Sequence, residues 1–367
     1  MTNQSKGINN SEMWQDSFVS VVIPVYNGQE FIQDAVQSCF RQTYRPMEVL
    51  VVNDGSTDAT AAKVTDLQSS LSSDGFRLRL IDIGSNMGAA NALNVGFSEA
   101  RGEYICWLSA DDLFIDDEKT SKQIAQMIRS EADWSYFRDY VAGQSPATAR
   151  LVKSSYLPKL RMLDSLFIHN PLRRLALLLF INPVNGSSVM IKRNAAKQYG
   201  QFDSATRNID GDGDLWMRYS AQRLKLQALS GATVFYREHG KQTSKKKDQM
   251  IYGCELTRMR MIRVLEKTGM LERTIKTLVP FLPILVRAKK HFERPMVSEH
   301  LFTYIMGNKS KFNWIVFKMA QKSLSEVRNH LNYLNINKDN FERDLESLER
   351  STTFKQFELR LTEVMEK

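Results

Sequence analysis

Apolar and polar positions repeat one theme over the first third of the chain. Residues 18–24 (FVSVVIP) are nearly all apolar, the pattern of a strand covered on both faces. From 28 to 43, Phe31, Ile32, Ala35, Val36 and Cys39 recur at helical spacing. A second β-rich run, 48–52 (EVLVV), stops at Asn53-Asp54-Gly55, a strong turn signal. Thr57 or Asp58 can cap the next helix, which carries Ala61, Val64 and Leu67. A strand at 77–83, a helix at 88–101 and a strand at 103–108 complete the series. Strands alternating with helices of this length predict right-handed βαβ units, an α/β fold with a mostly parallel sheet flanked by helices. In such sheets ligands bind at the carboxyl ends of the strands. Those ends carry Tyr26-Asn27, Asn53-Asp54, Asn86 and Ser109-Ala110-Asp111-Asp112.

Further along, the pattern predicts helices near 117–130, 160–181 and 212–223 and strands at 187–192 and 232–237. Past Lys245-Lys246-Lys247 the β signal fades, and 253–270, 312–334 and 341–366 show apolar residues three and four apart. The expected organisation is a polar N-terminal tail (1–16), an α/β domain (17–244), a basic linker (245–252) and a C-terminal α-helical region (253–367).

Charge sharpens this division. The 367 residues carry 50 Lys+Arg and 41 Asp+Glu, a net +9, yet residues 1–244 hold 26 of each sign and sum to zero. The excess lies beyond 244, which disfavours a uniformly basic nucleic-acid binder, and no nucleic-acid partner is expected. Cys39, Cys106 and Cys254 are odd in number and far apart, which argues against a disulfide framework and for a reducing compartment. The polar first eighteen residues contain no secretory signal. The longest apolar runs, 175–181 and 278–286, are far short of the roughly 20 residues of a membrane span. A cytoplasmic protein is expected, one that can lie on the inner face of a membrane. Lys245–Lys247 and Arg287, Lys289 and Lys290 flank the 278–286 run, a combination suited to an anionic membrane face. The C-terminal helices also offer a surface for an oligomer.

Several short motifs carry candidate chemistry. LSADD (108–112) follows a predicted strand directly, and two adjacent carboxylates there can hold a hard divalent cation, Mn²⁺ or Mg²⁺, and a ribose hydroxyl. An isolated Asp-Asp more often caps a helix. VVNDGSTD (51–58) places Asp54 where a carboxylate can accept from a base N–H or a ribose hydroxyl; a plain turn explains it equally well. Pro24-Val25-Tyr26-Asn27 ends the first strand, and the Asn86-Met87-Gly88 amides precede a helix and can meet an anion. In Asp210-Gly-Asp-Gly-Asp-Leu-Trp-Met-Arg218, acids alternate with glycines, but the calcium-loop pattern is not continued. A carboxylate there can serve as a general base or simply complement a helix N-terminus. His239, in YREHGKQTS (236–244), can be a metal ligand. There is no GxGxxG after the first strand and no P-loop motif.

Taken together and in order, IPVYN (23–27), VVNDGSTD (51–58), NMGAANALNVG (86–96), LSADD (108–112), GDGDLWMR (211–218) and YREHGKQTS (236–244) resemble the family 2 glycosyltransferases of GT-A fold. NGSSVMIKR (185–193) and YGQFD (199–203) add to the likeness. The resemblance implies a GT-A type, Rossmann-like sheet and an inverting, metal-dependent hexosyltransferase. The donor would be a nucleotide diphosphate sugar, most often a UDP-sugar. The acceptor would be a hydroxyl of a glycan or lipid-linked glycan in bacterial-type surface polysaccharide synthesis. It also implies roles. Pro24, Tyr26, Asn27, Asp54, Asn86 and Asp111 would bind the nucleotide, Asp111 also serving the metal shell. Asp112 and His239 would ligate the cation, Asp212 would be the base, and Gly186, Ser187 and Trp216 would face the acceptor.

Three positions depart from the family pattern: Ser109 for the first Asp of the acidic motif, Leu93 for an Arg, and Gly211 for the Glu beside the base. They keep open a non-catalytic, nucleotide-sugar-binding scaffold. A sugar-phosphate nucleotidyltransferase is a further alternative, but VYNGQEF lacks the Gly-rich, basic triphosphate loop it needs.

Overall fold

The apolar runs of the first third form neighbouring strands of one sheet. The computed structural model describes residues 18–71, 73–154, 166, 168–207, 210–242, 245–287, 294–334 and 337–366. The tail expected at 1–16, residues 160–165 of an expected helix, and Lys289-Lys290 lie outside the described residues. Contacts divide the chain into two units: 1–154, 184–198 and 226–239 form one, and 155–183, 199–225 and 240–367 the other.

The first unit is a mixed α/β structure with all nine described strands: β1 (Val19–Val25), β2 (Met47–Asn53), β3 (Phe76–Asp82), β4 (Tyr104–Trp107), β5 (Leu113–Phe114), β6 (Trp134–Gly143), β7 (Arg150–Lys153), β8 (Met190–Lys192) and β9 (Leu226–Arg237). They lie in the order β3-β2-β1-β4-β8-β6-β9-β5, with β7 paired to β6. The first four strands are parallel, as expected of βαβ units. Helices α1 (Ile32–Phe40), α2 (Thr60–Ser70) and α3 (Ala89–Glu99) make the crossovers. Beyond β4 the sheet is mixed: β8 is antiparallel to β4 and β6, while β9 is parallel to β6.

Val25 of β1 pairs with Asn53 of β2, which pairs with Asp82 of β3, so these strands end level. One crossover sequence runs outward from β1 to β2 and β3, and the next strand, β4, lies on the other side of β1. Such a reversal, here at the carboxyl ends of β1 and β4, marks the edge where open α/β sheets take ligands. Below it, Val21, Ile23, Val49, Val51 and Cys106 are fully buried against Ile32, Val36 and Met127 of α1 and α4 (Lys119–Ser130). All seven residues of β2 are buried, which explains its unbroken apolar run. Of its polar residues, Glu48 has one oxygen bonded to the Ser20 hydroxyl at 2.6 Å and the Arg101 amide at 2.8 Å, and the other 3.6 Å from the Arg79 guanidinium.

The second unit is helical: α5 (Pro171–Leu178), α7 (Gly211–Ala221), α8 (Lys247–Lys267), α9 (Leu271–Leu278), α10 (Leu282–Arg287), α11 (Pro295–Gly307), α12 (Trp314–Leu334), α13 (Lys338–Glu349) and α14 (Thr352–Glu366); α6 (Arg193–Tyr199) follows β8. The helical period at 341–366 is broken at Ser351, whose hydroxyl accepts from the Phe354 amide and starts a new helix. Residues 203–221, which pattern alone assigns to the α/β domain, group instead with the C-terminal helices, because Arg260 of α8 pairs with both Asp203 and Asp214. The 278–286 run, read from the sequence as suited to a membrane face, turns its large side chains inward: Leu278, Phe281, Leu282 and Leu285 are buried, and Leu278 and Leu282 line a small cavity with Leu301 and Ile305. Among the described residues no helix is long and apolar enough to cross a membrane.

Position in the sheet sets a measurable contrast. Leu50→Ala, in the fully buried β2, should cost about 2–5 kcal/mol in urea unfolding. Arg77→Ala, on the exposed face of β3, should stay within about 0.5 kcal/mol.

Candidate functional site

At the carboxyl end of β1 the chain turns sharply. Asn27 takes a left-handed conformation (φ 50°), its side-chain oxygen accepts from the Thr57 amide at 2.8 Å, and its own amide donates to the Ser56 hydroxyl at 2.8 Å. The loops after β1 and β2 are thereby tied together. Tyr26 beside this tie is half exposed, at 49%, and Pro24 pairs in register with Val52.

Asp54 organises the next loop. Its amide donates to the Val25 carbonyl, and its two carboxylate oxygens accept from the Met87 and Gly88 amides at 2.8 and 2.9 Å. A buried carboxylate thus takes two orphan amides at the start of α3 and fixes the turn that presents exposed Asn86. Gly55, at φ 70°, has no room for a side chain: a Cβ there would lie 2.7 Å from Ser85 backbone carbon and 2.8 Å from the Asn86 amide nitrogen.

The acidic run leaves β4 with its two carboxylates facing different ways. Asp111 is half-buried and meets His239 Nε2 at 2.9 Å. Asp112 is buried: one oxygen accepts from the Ser187 hydroxyl at 2.6 Å and the other from the Arg237 amide at 3.2 Å. Burial, and then the neighbouring Asp111, push the Asp112 carboxyl well above the usual range. Ser187 sits in the 3₁₀ turn Gly186–Ser188 and also accepts from the Ser109 amide, so the acidic run and the 186–188 turn are bonded as one piece. The Arg237 guanidinium lies over the Phe31 ring, donates to the Asp111 carbonyl at 3.0 Å, and pairs with Asp34 at 2.9 Å. His239 rests against the same Phe31 ring, with ring centroids 4.7 Å apart.

Among the described residues no three His, Cys, Asp or Glu side chains converge as a closed metal site. An open site is different. A partly exposed carboxylate and imidazole in contact, with a buried carboxylate next in sequence, suit Mn²⁺ or Mg²⁺ completed by phosphates and water. The donor set fits such a cation, with Asp111 and His239 presenting the contact and Asp112 turned inward behind it.

In the second unit, Asp212 lies in the first turn of α7. One of its oxygens accepts from the Gly213 amide at 2.8 Å and the other from the Asn182 side chain at 3.3 Å. Burial, and then Asp210, push its pKa up to about 6, a value fit for a general base near neutral pH. Trp216, one turn on, is fully buried, with its ring edge-on to Tyr219.

Several supporting residues escape motif reading. Arg237 stands inside YREH but carries no signal of its own. Arg258 and Arg260 sit fully buried in α8 and bond acids 46 to 57 residues away. Their one linear sign is two arginines two apart within an apolar stretch, LTRMRMI.

The chain has likenesses among known proteins. The model of glycosyl transferase family 2 matches residues 20–200. An uncharacterized glycosyltransferase of Haemophilus influenzae is 28% identical over 231 residues, 62% of this chain and 67% of that one. The poly-beta-1,6-N-acetyl-D-glucosamine synthase of Staphylococcus epidermidis is 29% identical over 196 residues, 53% of this chain and 44% of that one. The chain spans only 31% of an uncharacterized glycosyltransferase of Rickettsia felis, to which it is 29% identical. Among solved structures, S. aureus TarS 1-349 in complex with UDP-GlcNAc superposes with a TM-score of 0.55 at 16% identity, covering 90% of this chain and 91% of that one. The fold is GT-A, and residues 20–200, about half of the chain, match glycosyl transferase family 2.

Proposed function

We propose that the chain is an inverting, metal-dependent hexosyltransferase that moves a sugar from a UDP-sugar to a glycan or lipid-linked glycan hydroxyl in surface polysaccharide synthesis. The observation that carries this reading is the Asp111–His239 contact at the carboxyl end of β4, at the point where the strand order reverses. The donors and product in the names of its relatives, UDP-GlcNAc with TarS and a poly-N-acetylglucosamine made by the synthase, favour a UDP-sugar.

Tyr26 would lie against the uracil, with Pro24 and Asn27 holding the strand end that carries it. Asp54 keeps the 86–88 amides in place, and Asn86 reaches the nucleotide. Asp111 and His239 would hold Mn²⁺ or Mg²⁺; Asp112, which the sequence reading paired with His239 as a metal ligand, is instead turned to the Ser187 hydroxyl and the Arg237 amide. Bound there, the cation would neutralise charge on the departing diphosphate. Asp212 takes the proton of the acceptor hydroxyl as it attacks the anomeric carbon opposite the leaving group, which inverts that centre. Gly186 and Ser187 would line the acceptor side. Trp216, being buried, would act only by fixing α7.

Asp212→Asn should lower kcat by about 10²–10⁴-fold while donor binding persists; near wild-type transfer would remove the base assignment. Because Asp212 must be ionised to accept a proton, kcat/KM should fall as pH drops through about 6. EDTA should abolish transfer and Mn²⁺ restore it; transfer untouched by EDTA would remove the metal. Donor binding with no transfer or hydrolysis by the wild-type protein would favour the non-catalytic scaffold.

We place a membrane contact at the start of α12. Trp314 and Ile315 are 69% and 62% exposed there. Residues 300–325 contain Lys309, Lys311, Lys318 and Lys322 and no acid. Flotation with anionic vesicles should weaken in Trp314→Ala/Ile315→Ser; equal flotation with neutral vesicles would refute it.

A further inference from the structure

We propose that Arg258, in a helix beyond the family match, is a positioning residue for the base: by neutralising Asp210 it keeps the neighbouring Asp212 carboxylate ionised and in place. This deepens the proposed function and rests on its assignment of Asp212.

The argument begins with charge. The segment from 203 to 218 and helix α8 bring together four carboxylates, Asp203, Asp210, Asp212 and Asp214, and three guanidiniums, Arg218, Arg258 and Arg260. Burying an ion costs several kcal/mol unless a partner offsets it. Arg218 pairs with Asp214 at 2.8 Å, and Arg260 bridges Asp214 and Asp203 at 2.6 and 2.7 Å. Arg258 is the guanidinium bonded to Asp210, and both side chains are nearly or wholly buried. The Thr257 hydroxyl donates to the same Asp210 oxygen at 2.8 Å.

Geometry then ties Asp210 to the base. Asp210 adopts a left-handed conformation (φ 43°), which folds its carboxylate over Gly213, where a Cβ would collide with both carboxylate oxygens. The same Gly213 donates its amide to Asp212. Arg258 itself is held rigidly, donating to the Leu178 and Cys254 carbonyls, both at 3.1 Å. Its charge favours ionised Asp212, and that of Asp210 opposes it.

Among the described residues, Cys254 and Glu255 also lie beside Arg258 and Asp210. The Cys254 thiol is pushed up to about 12 by burial and stays neutral. Glu255, pushed up to about 7 by burial, turns to the Met296 and Val297 amides, with Arg294 acting on it and on Cys254. Neither replaces Arg258 as the cation at Asp210.

The test is the acid limb of the kcat/KM profile for sugar transfer. Removing the opposing charge with Asp210→Asn should move the limb to lower pH by about one unit or more, and Arg258→Gln should move it to higher pH by a similar amount. Arg258→Lys, which keeps a cation, should bring the limb back toward the wild-type position. Thermal melts confirm that each variant is folded; if Arg258→Gln is not, Asp210→Asn and Arg258→Lys decide. Equal loss of rate at every pH with an unmoved limb would overturn the proposal and leave Arg258 merely structural. If instead Asp212→Asn retained transfer, the base assignment itself would fail, whatever the Arg258 variants did.

Discussion

A carboxylate placed inside a protein must find hydrogen bonds or a cation, or else it takes up a proton. Each unit of this chain is built around that requirement. In the first, Asp54 stands at the end of β2 with both oxygens bonded to amides of the 87–88 turn, and Asp112 stands at the end of β4 bonded to Ser187 and the Arg237 amide. In the second, Asp203, Asp210 and Asp214 are met by arginines of α7 and α8. The acids are therefore structural anchors as well as chemical groups. They fix where the loops lie, and the loops carry exposed Tyr26 and Asn86 and half-buried Asp111.

This arrangement bears on catalysis because a site held before the ligand arrives loses little order on binding. Asp111 and His239 are already in contact, with Arg237 bonded to the Asp111 carbonyl and Phe31 against both the His239 ring and the Arg237 guanidinium. Ser109, where the family pattern has an acid, uses its amide to reach Ser187. The substitution keeps that backbone tie and removes one negative charge from the pocket. Gly211 likewise occupies only the first position of α7, while Asp212 keeps its bonds to Gly213 and Asn182. Neither departure disturbs the groups assigned to chemistry.

Much of the first unit was legible in the sequence, because buried parallel strands and amphipathic crossovers write strong local periodicities. β1 to β4 lie within about two residues of where the pattern places them, and their ends carry the residues read as a ligand edge. What stayed hidden is non-local. Adjacent Asp111 and Asp112 look equivalent in sequence, and only packing decides that one faces Ser187 while the other meets His239. The Arg258–Asp210 and Arg260–Asp203 pairs join residues about fifty positions apart, so no window of sequence reveals them. The 278–286 run misled for a related reason: lysines and arginines beside an apolar stretch look alike whether that stretch meets lipid or other helices.

The central claim is that the carboxyl edge of β1, β2 and β4 binds a nucleotide diphosphate sugar with a divalent cation. A thermal-shift series with UDP-, GDP-, CDP- and dTDP-sugars, each with and without Mn²⁺, tests it most directly. The account predicts a rise in melting temperature with UDP-sugar that requires Mn²⁺ and disappears in Asp111→Ala. Indifference to every nucleotide sugar, or a UDP-sugar shift that neither needs the metal nor depends on Asp111, would contradict it.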